Sequence, residues 1–121
     1  MLEISILGSG SGGNSAVVRS ADTCVLIDAG LSGRQLRERM AAVGVGPEEI
    51  DGILLTHEHG DHTRGLDIFC RGAEVPVYCN PLTREALGQS LKHPKAWRLV
   101  ETGTEFAVGA ITVATFSVPH D

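Results

Sequence analysis

The stretch that most limits how this chain can fold is Thr56-His57-Glu58-His59-Gly60-Asp61-His62, an H-x-H-x-D-H pattern. It places three imidazoles and a carboxylate directly behind the apolar run Ile53-Leu54-Leu55. The run reads as a strand, so the fold has to deliver a strand end to an open cleft. Neutral imidazole and carboxylate are the usual protein ligands for zinc, and for manganese or iron at mixed nitrogen and oxygen sites. One ion takes three or four such ligands, and a catalytic ion keeps a position open for water. Four ligand-type side chains here, with another histidine further on, point to two ions in one cleft. In extended chain, residues two apart face the same way, so His57 and His59 can grip one ion. Gly60 is expected to bend the chain, after which Asp61 and His62 turn towards a second ion. The arrangement differs from helical H-E-x-x-H, whose histidines sit four apart on one helix face.

The 121 residues suffice for one small domain with one core. A hydrophobic fraction of 42% against 21% charged residues marks a globular chain. No apolar run approaches the ~18 residues that span a membrane. Met1-Leu2-Glu3-Ile4 lacks the basic start of a signal peptide. Cys24, Cys70 and Cys79 are odd in number and have no C-x-x-C spacing. That argues for a reduced, cytoplasmic setting and for cysteines used as small buried hydrophobes. The net charge of −5, with no Lys/Arg-rich run, does not advertise non-specific nucleic-acid binding. Two divalent ions would nearly cancel that charge and make the cleft locally positive.

Along the chain, residues 3–7 read as a first strand. The Gly-rich stretch 8–15 is no Walker loop, since no G-K-[ST] ends it, and no helix pattern follows as a dinucleotide fingerprint requires. It is a strand–loop–strand corner with two open readings. Either its backbone N–H groups and Asn14 or Ser15 face an anion, or it is a flexible hairpin. Residues 23–27 are nearly all apolar, as in a strand buried on both faces. Asp28, in Asp28-Ala29-Gly30, is then a turn former or a group that steers a ligand, and position alone favours the turn.

A helix follows, with Ser32 as N-cap, Gln35 completing a capping box, Leu31 and Leu36 as a staple, and Gly44 as the stop. Leu36, Met40 and Val43 form its apolar stripe, while Arg34, Arg37 and Arg39 read as a solvated face. Residues 46–50 look like one helical turn, 52–55 like the strand that delivers the histidines, and 62–70 like a short helix. The stretch 75–79 reads as a short strand, at an edge or with Pro76 at its start. Asn80 and Pro81 open another helix, with Thr83, Leu87 and Ser90 or Leu91 on one face. Residues 92–98 look like a polar loop with His93 at the surface. A hairpin over 105–113 turns near Gly109, its second strand running through Phe116. His120 is a candidate ligand, although its place near the terminus favours a frayed end. No repeat, linker or second domain is visible.

Taken together, the histidine cluster, the Gly-rich corner, the strand ending Leu26-Ile27-Asp28-Ala29-Gly30 and Val118-Pro119-His120-Asp121 resemble the metallo-β-lactamase-fold hydrolase superfamily. Within it the chain is most similar to the WalJ-type branch, then to the phosphodiesterase and ribonuclease Z branches. The resemblance implies an α/β (α+β) fold, an αββα sandwich with the metal cleft along one edge of its two sheets. It implies that His57 and His59 bind a first ion with His120 as third ligand, and that Asp61 and His62 bind a second, Asp61 also orienting the nucleophile. Asp28 would take a structural or ligand-steering role. The family domain is about twice this length, and its later half supplies a bridging Asp and a last His. Residues 1–121 therefore correspond to the N-terminal part of one domain, with one mixed or mostly antiparallel sheet and helices on its outer face. Superfamily members cleave lactams, lactones, thioesters and phosphodiesters. The expected function is a two-metal phosphodiesterase or nuclease with zinc, or else manganese or iron, acting on nucleic acid. The alternatives are a thioester or lactone hydrolase, and an inactive fragment that self-associates through its exposed sheet face.

Overall fold

The computed structural model describes residues 1–117. Strands β1 (Leu2–Gly8), β2 (Ser15–Ser20) and β3 (Thr23–Ile27) pair antiparallel through tight connections. From Ser32 onward the apolar residues recur at helical spacing and the topology changes, because parallel pairing needs a crossover. Helix α1 (Gly33–Ala42) and a 3₁₀ turn (Pro47–Glu49) return the chain to β4 (Gly52–Leu54), parallel to β3. Helices α2 (Gly60–Thr63) and α3 (Leu66–Cys70) lead to β5 (Val77–Cys79), and α4 (Pro81–Leu87) leads to β6 (Trp97–Leu99). The result is a mixed six-stranded sheet in the order β1-β2-β3-β4-β5-β6. A separate hairpin of β7 (Glu105–Val108) and β8 (Ile111–Ala114) follows.

The helices cover one face of the sheet. Leu36, Met40, Leu66, Phe69 and Leu87 pack there with Val17, Leu26, Ile53 and Val77. The hairpin covers part of the other face, with Val108 and Ile111 against Val18 and Val25. Along β3, Cys24 and Leu26 join the helix-side core, while Val25 and Ile27 face the hairpin. Burial on both faces is why residues 23–27 show no polar alternation. Ala110 N–H donates to Thr23 Oγ1 at 2.9 Å and pins the hairpin to that strand. The α/β sheet with helices on one face agrees with expectation, and the hairpin adds the start of a second layer opposite them.

Several local readings need correction. Residues 62–70 form two short helices rather than one. Gly65 N–H leaves the helical ladder to donate to Ala29 O at 2.8 Å, and a Cβ at Gly65 would fall 2.2 Å from Leu31 O. Residues 97–99 form β6 rather than a loop: Trp97 packs on the helix-side core, with the Arg84 guanidinium 4.3 Å over its ring. Three residues are too few to show a strand period. The 80s helix ends at Leu87, where Gly88 takes φ +58°. The last strand stops at Ala114 because Thr115 folds back, its hydroxyl donating to Thr104 O at 3.0 Å. β5 lies inside the sheet, and Pro76 immediately precedes it. Ser32 Oγ caps Gln35 N–H at 3.2 Å, but Gln35 meets the Ser32 hydroxyl instead of its N–H, so the capping box is half formed. Arg39 is not simply solvated, since its guanidinium donates to Leu7 O at 2.7 Å and ties α1 to β1.

The three cysteines are buried and free. Burial pushes the Cys70 and Cys79 thiols up to about 11, with the Asp67 carboxylate adding to the effect at Cys70. Among the described residues, no helix is long and apolar enough to cross a membrane.

Candidate metal centre

The pairing directions bring the C-terminal ends of β1, β3 and β4 to one edge of the sheet. Three loops leave from there: the Gly-rich corner, the turn Asp28-Ala29-Gly30, and the histidine loop. Main-chain hydrogen bonds join them. Asn14 N–H donates to Asp61 O at 2.7 Å, Gly30 N–H to Asn14 O at 2.9 Å, and Ala29 N–H to His62 O at 2.8 Å. These backbones approach too closely for side chains, since a Cβ at Gly30 would lie 1.8 Å from Asp61 O. The Gly-rich corner is therefore fastened to the histidine loop.

Asp28 takes φ +59°, a left-handed conformation that Asp tolerates better than most residues. It is only 5% exposed. Its Oδ1 accepts from Thr56 N–H at 2.8 Å, and its Oδ2 accepts from Thr56 Oγ1 at 2.6 Å. His62 Nδ1 lies 2.7 Å from the same Oδ2. The carboxylate serves as acceptor, so in the neutral ring, the metal-binding form, the hydrogen sits on Nδ1 and Nε2 keeps its lone pair. That Nε2 is 3.7 Å from Asp61 Oδ2. Asp28 thus both makes the turn and orients an imidazole, in the way carboxylates orient metal-binding histidines. Position alone left both roles open and favoured the first.

His57 Nδ1 lies 3.0 Å from Thr56 Oγ1. The His57 and His59 rings stack with centroids 6.1 Å apart and planes at 20°, and the His57 and His62 centroids are 4.6 Å apart. His59 Nε2 lies 3.5 Å from Glu58 Oε2. The bend falls at His59 (φ −63°, ψ 153°), the N-cap of α2, and Gly60 is the first helical residue without a left-handed φ. Thr63 Oγ1 donates to His59 O at 3.0 Å and holds the bend. Asn14 turns its amide to Gly10 and Asp61. Ser15, named with Asn14 in one of the two readings of the corner as an anion contact, is buried beneath the cleft surface, its hydroxyl donating to Asp28 O at 2.8 Å. His93 is half-buried, with Nδ1 2.9 Å from Asp67 Oδ2. His120 lies outside the described residues.

Among the described residues, no group of three or more His, Cys, Asp or Glu side chains stands ready-made to hold a metal ion. The donor chemistry nevertheless fits one. Three imidazoles and a carboxylate lie on the histidine loop and the first residues of α2, and one imidazole is held by a buried acid with its Nε2 towards that carboxylate. His57, His59, Asp61 and His62 are the residues that could hold divalent ions here, and the mixed donors suit zinc. Thr56, which links Asp28 to two histidines, was missed from sequence, where its only signal is its place between strand and cluster.

The chain is 36% identical over 121 aligned residues to "Exodeoxyribonuclease WalJ" of Streptococcus pneumoniae, covering 97% of this chain and 45% of that protein. It is 35% identical to "Exodeoxyribonuclease YycJ" of Bacillus anthracis, covering 99% and 46%. "Ribonuclease Z" of Mycobacterium bovis is 36% identical over 109 residues, covering 76% of this chain and 38% of that one. Among solved structures, Rm3 metallo-beta-lactamase superposes with a TM-score of 0.79 at 26% identity, covering 96% of this chain and 49% of that one. The chain spans less than half the length of the curated relatives it matches. The sequence pattern of the family described as "Metallo-beta-lactamase superfamily" matches residues 8–120. With the αβ sheet, the strand-end histidine loop and this match in agreement, the chain belongs to the metallo-β-lactamase superfamily.

Proposed function

We propose that these residues are the N-terminal part of a single domain that hydrolyses phosphodiesters in nucleic acid with two divalent ions, zinc by donor type. One observation carries the reading: buried Asp28 fixes His62 with Nε2 3.7 Å from Asp61 Oδ2, so that this pair is prepared to share an ion. His57 and His59 would hold the other ion with His120. When bound, such ions supply an activated water at neutral pH and a clamp for phosphoryl oxygens. The chain's own contribution is orientation. Asp28 sets the His62 tautomer, Thr56 bridges Asp28 to His57, and Asp61 directs the attacking water. The nucleic-acid preference is supported by the names of the relatives, not by the charge of −5.

Zinc content per chain, measured by elemental mass spectrometry after dialysis, tests the site. Wild type is expected to retain zinc and the Asp61→Asn, His62→Ala double variant to lose most of it; equal retention refutes the ligand assignment. Release of nucleotides from end-labelled DNA tests the reaction, and turnover unchanged by His57→Ala would refute it. Cleavage of thioesters or lactones with no turnover of diesters would move the assignment to small molecules.

A second reading is favoured by β1. Ile4 pairs with Val18, which packs under the hairpin, so Leu2, Ile4 and Ile6 face that side of the sheet. They stand 55%, 62% and 66% exposed. We propose that a second copy of this chain covers the stripe when these 121 residues stand alone. Light scattering at high concentration is expected to show a dimer that Ile4→Glu dissociates, and a wild-type monomer would refute it.

A further inference from the structure

Asn14 stands where the Gly-rich corner, the Asp28 turn and the histidine loop meet. Its Oδ1 accepts from Gly10 N–H at 3.0 Å, and its Nδ2 lies 2.9 Å from Gly10 O. The same Nδ2 is 3.2 Å from Asp61 O and 3.3 Å from Asp61 Oδ2. Its main chain adds bonds to Asp61 O and from Gly30 N–H. A short primary amide offers one acceptor and two donors at this reach, enough to bond both main-chain groups of Gly10 and still donate to Asp61. The acceptor fixes which way the amide faces, because only Oδ1 can receive the Gly10 N–H. One Nδ2 hydrogen goes to Gly10 O, and the other is left to Asp61, shared between its main-chain O and its Oδ2.

We infer that Asn14 is a positioning residue for Asp61. Its amide sets the rotation at which Asp61 Oδ2 faces His62 Nε2, and it links that carboxylate to the Gly-rich corner. This role differs from the anion contact that one of the two sequence readings of the corner gave Asn14 or Ser15, and it rests on the reading that Asp61 and His62 ligate an ion. Arg64 provides an internal comparison. It also joins the corner to the histidine loop, through Gly12 O at 3.1 Å, but no bond connects it to Asp61.

The test is zinc affinity of the full chain, measured by competition with a chromophoric chelator, with circular dichroism to confirm folding. Asn14→Ala is expected to weaken zinc binding about tenfold, as removal of a ligand's supporting hydrogen bond does. In an Asp61→Asn background the same change should alter affinity less than about twofold, since its object is gone. Arg64→Ala should bind zinc like wild type. Should Asn14→Ala fail to fold, Asn14→Gln, which keeps the amide but displaces it by one methylene, is read in the same cycle. Wild-type affinity at position 14 variants, beside a loss in Asp61→Asn, overturns the inference and leaves the ligand reading standing. An equal loss with and without Asp61, or a matching loss in Arg64→Ala, shows loop tethering and also overturns it. Wild-type affinity in Asp61→Asn overturns the ligand reading and the inference with it.

Discussion

Gly30→Ala is the smallest change that should take the site apart. The added Cβ would fall 1.8 Å from Asp61 O, 2.5 Å from Asp61 C and 2.6 Å from Asn14 N, all main-chain atoms. Contacts under 3.0 Å are essentially never seen, so the Asp61 oxygen has to move from 1.8 Å to at least that distance. No flexible side-chain tip is available to yield instead. Such a shift breaks the Asn14 N–H bond to Asp61 O and the Gly30 N–H bond to Asn14 O. Overpacking costs roughly 1–3 kcal/mol, and two hydrogen bonds about 1 kcal/mol each, so the total is about 3–5 kcal/mol. At a urea m-value of about 2 kcal/mol/M, the midpoint should fall by about 2 M. Zinc retention should fall with it, because Asp61 moves. Gly60→Ala is the matched control: nothing lies within 4 Å of its added Cβ, and it opens a helix. It should gain about 0.5 kcal/mol. A Gly30→Ala midpoint within about 0.3 M of wild type would refute the close-packing argument.

Asp28→Asn keeps the tolerance for φ +59° but places an amide where Oδ2 accepts from Thr56 and His62. It should cost about 1.5–3 kcal/mol in urea unfolding and move the His62 hydrogen from Nδ1 to Nε2, visible in ¹⁵N spectra; a persisting Nδ1–H refutes the assignment. Asp67 should contribute to acid stability. Burial works to raise its pKa, but the His93 N–H, the His93 side chain, the Lys92 N–H and the His93 charge outweigh it and leave the carboxyl below its ordinary value. A lowered folded pKa means that the stabilisation is complete above about pH 4 and is lost as pH falls through the folded value. Urea midpoints of wild type should therefore decline below about pH 4 more steeply than those of Asp67→Asn, and parallel declines would refute the pairing.

How much could be read in advance depended on whether each feature had a partner close in sequence. The α1 boundaries were legible because Ser32 and Gly44 act on N–H and C=O groups within a turn of themselves. The hairpin turn at Gly109 was legible because a left-handed φ of +55° has a residue preference of its own. β6 was not, since its three residues acquire their strand identity from pairing with β5 and from Arg84 over Trp97. Neither was the break at Gly65, which Leu31 imposes from 34 positions away.

The same division runs through the site. The sequence by itself determined the donor chemistry: imidazoles and a carboxylate crowded behind a buried strand are ligand-type side chains, and with the Gly-rich corner they resemble one superfamily. Only the tertiary structure decided how they are held. Asp28 reaches His62 across 34 positions, and Asn14 reaches Asp61 across 47. Ser15, adjacent to Asn14, is turned under the turn instead of into the cleft. Ligand identity is a property of single side chains, whereas tautomer, rotation and burial arise from neighbours that strand order brings together, and strand order is set by which apolar faces can be covered at once.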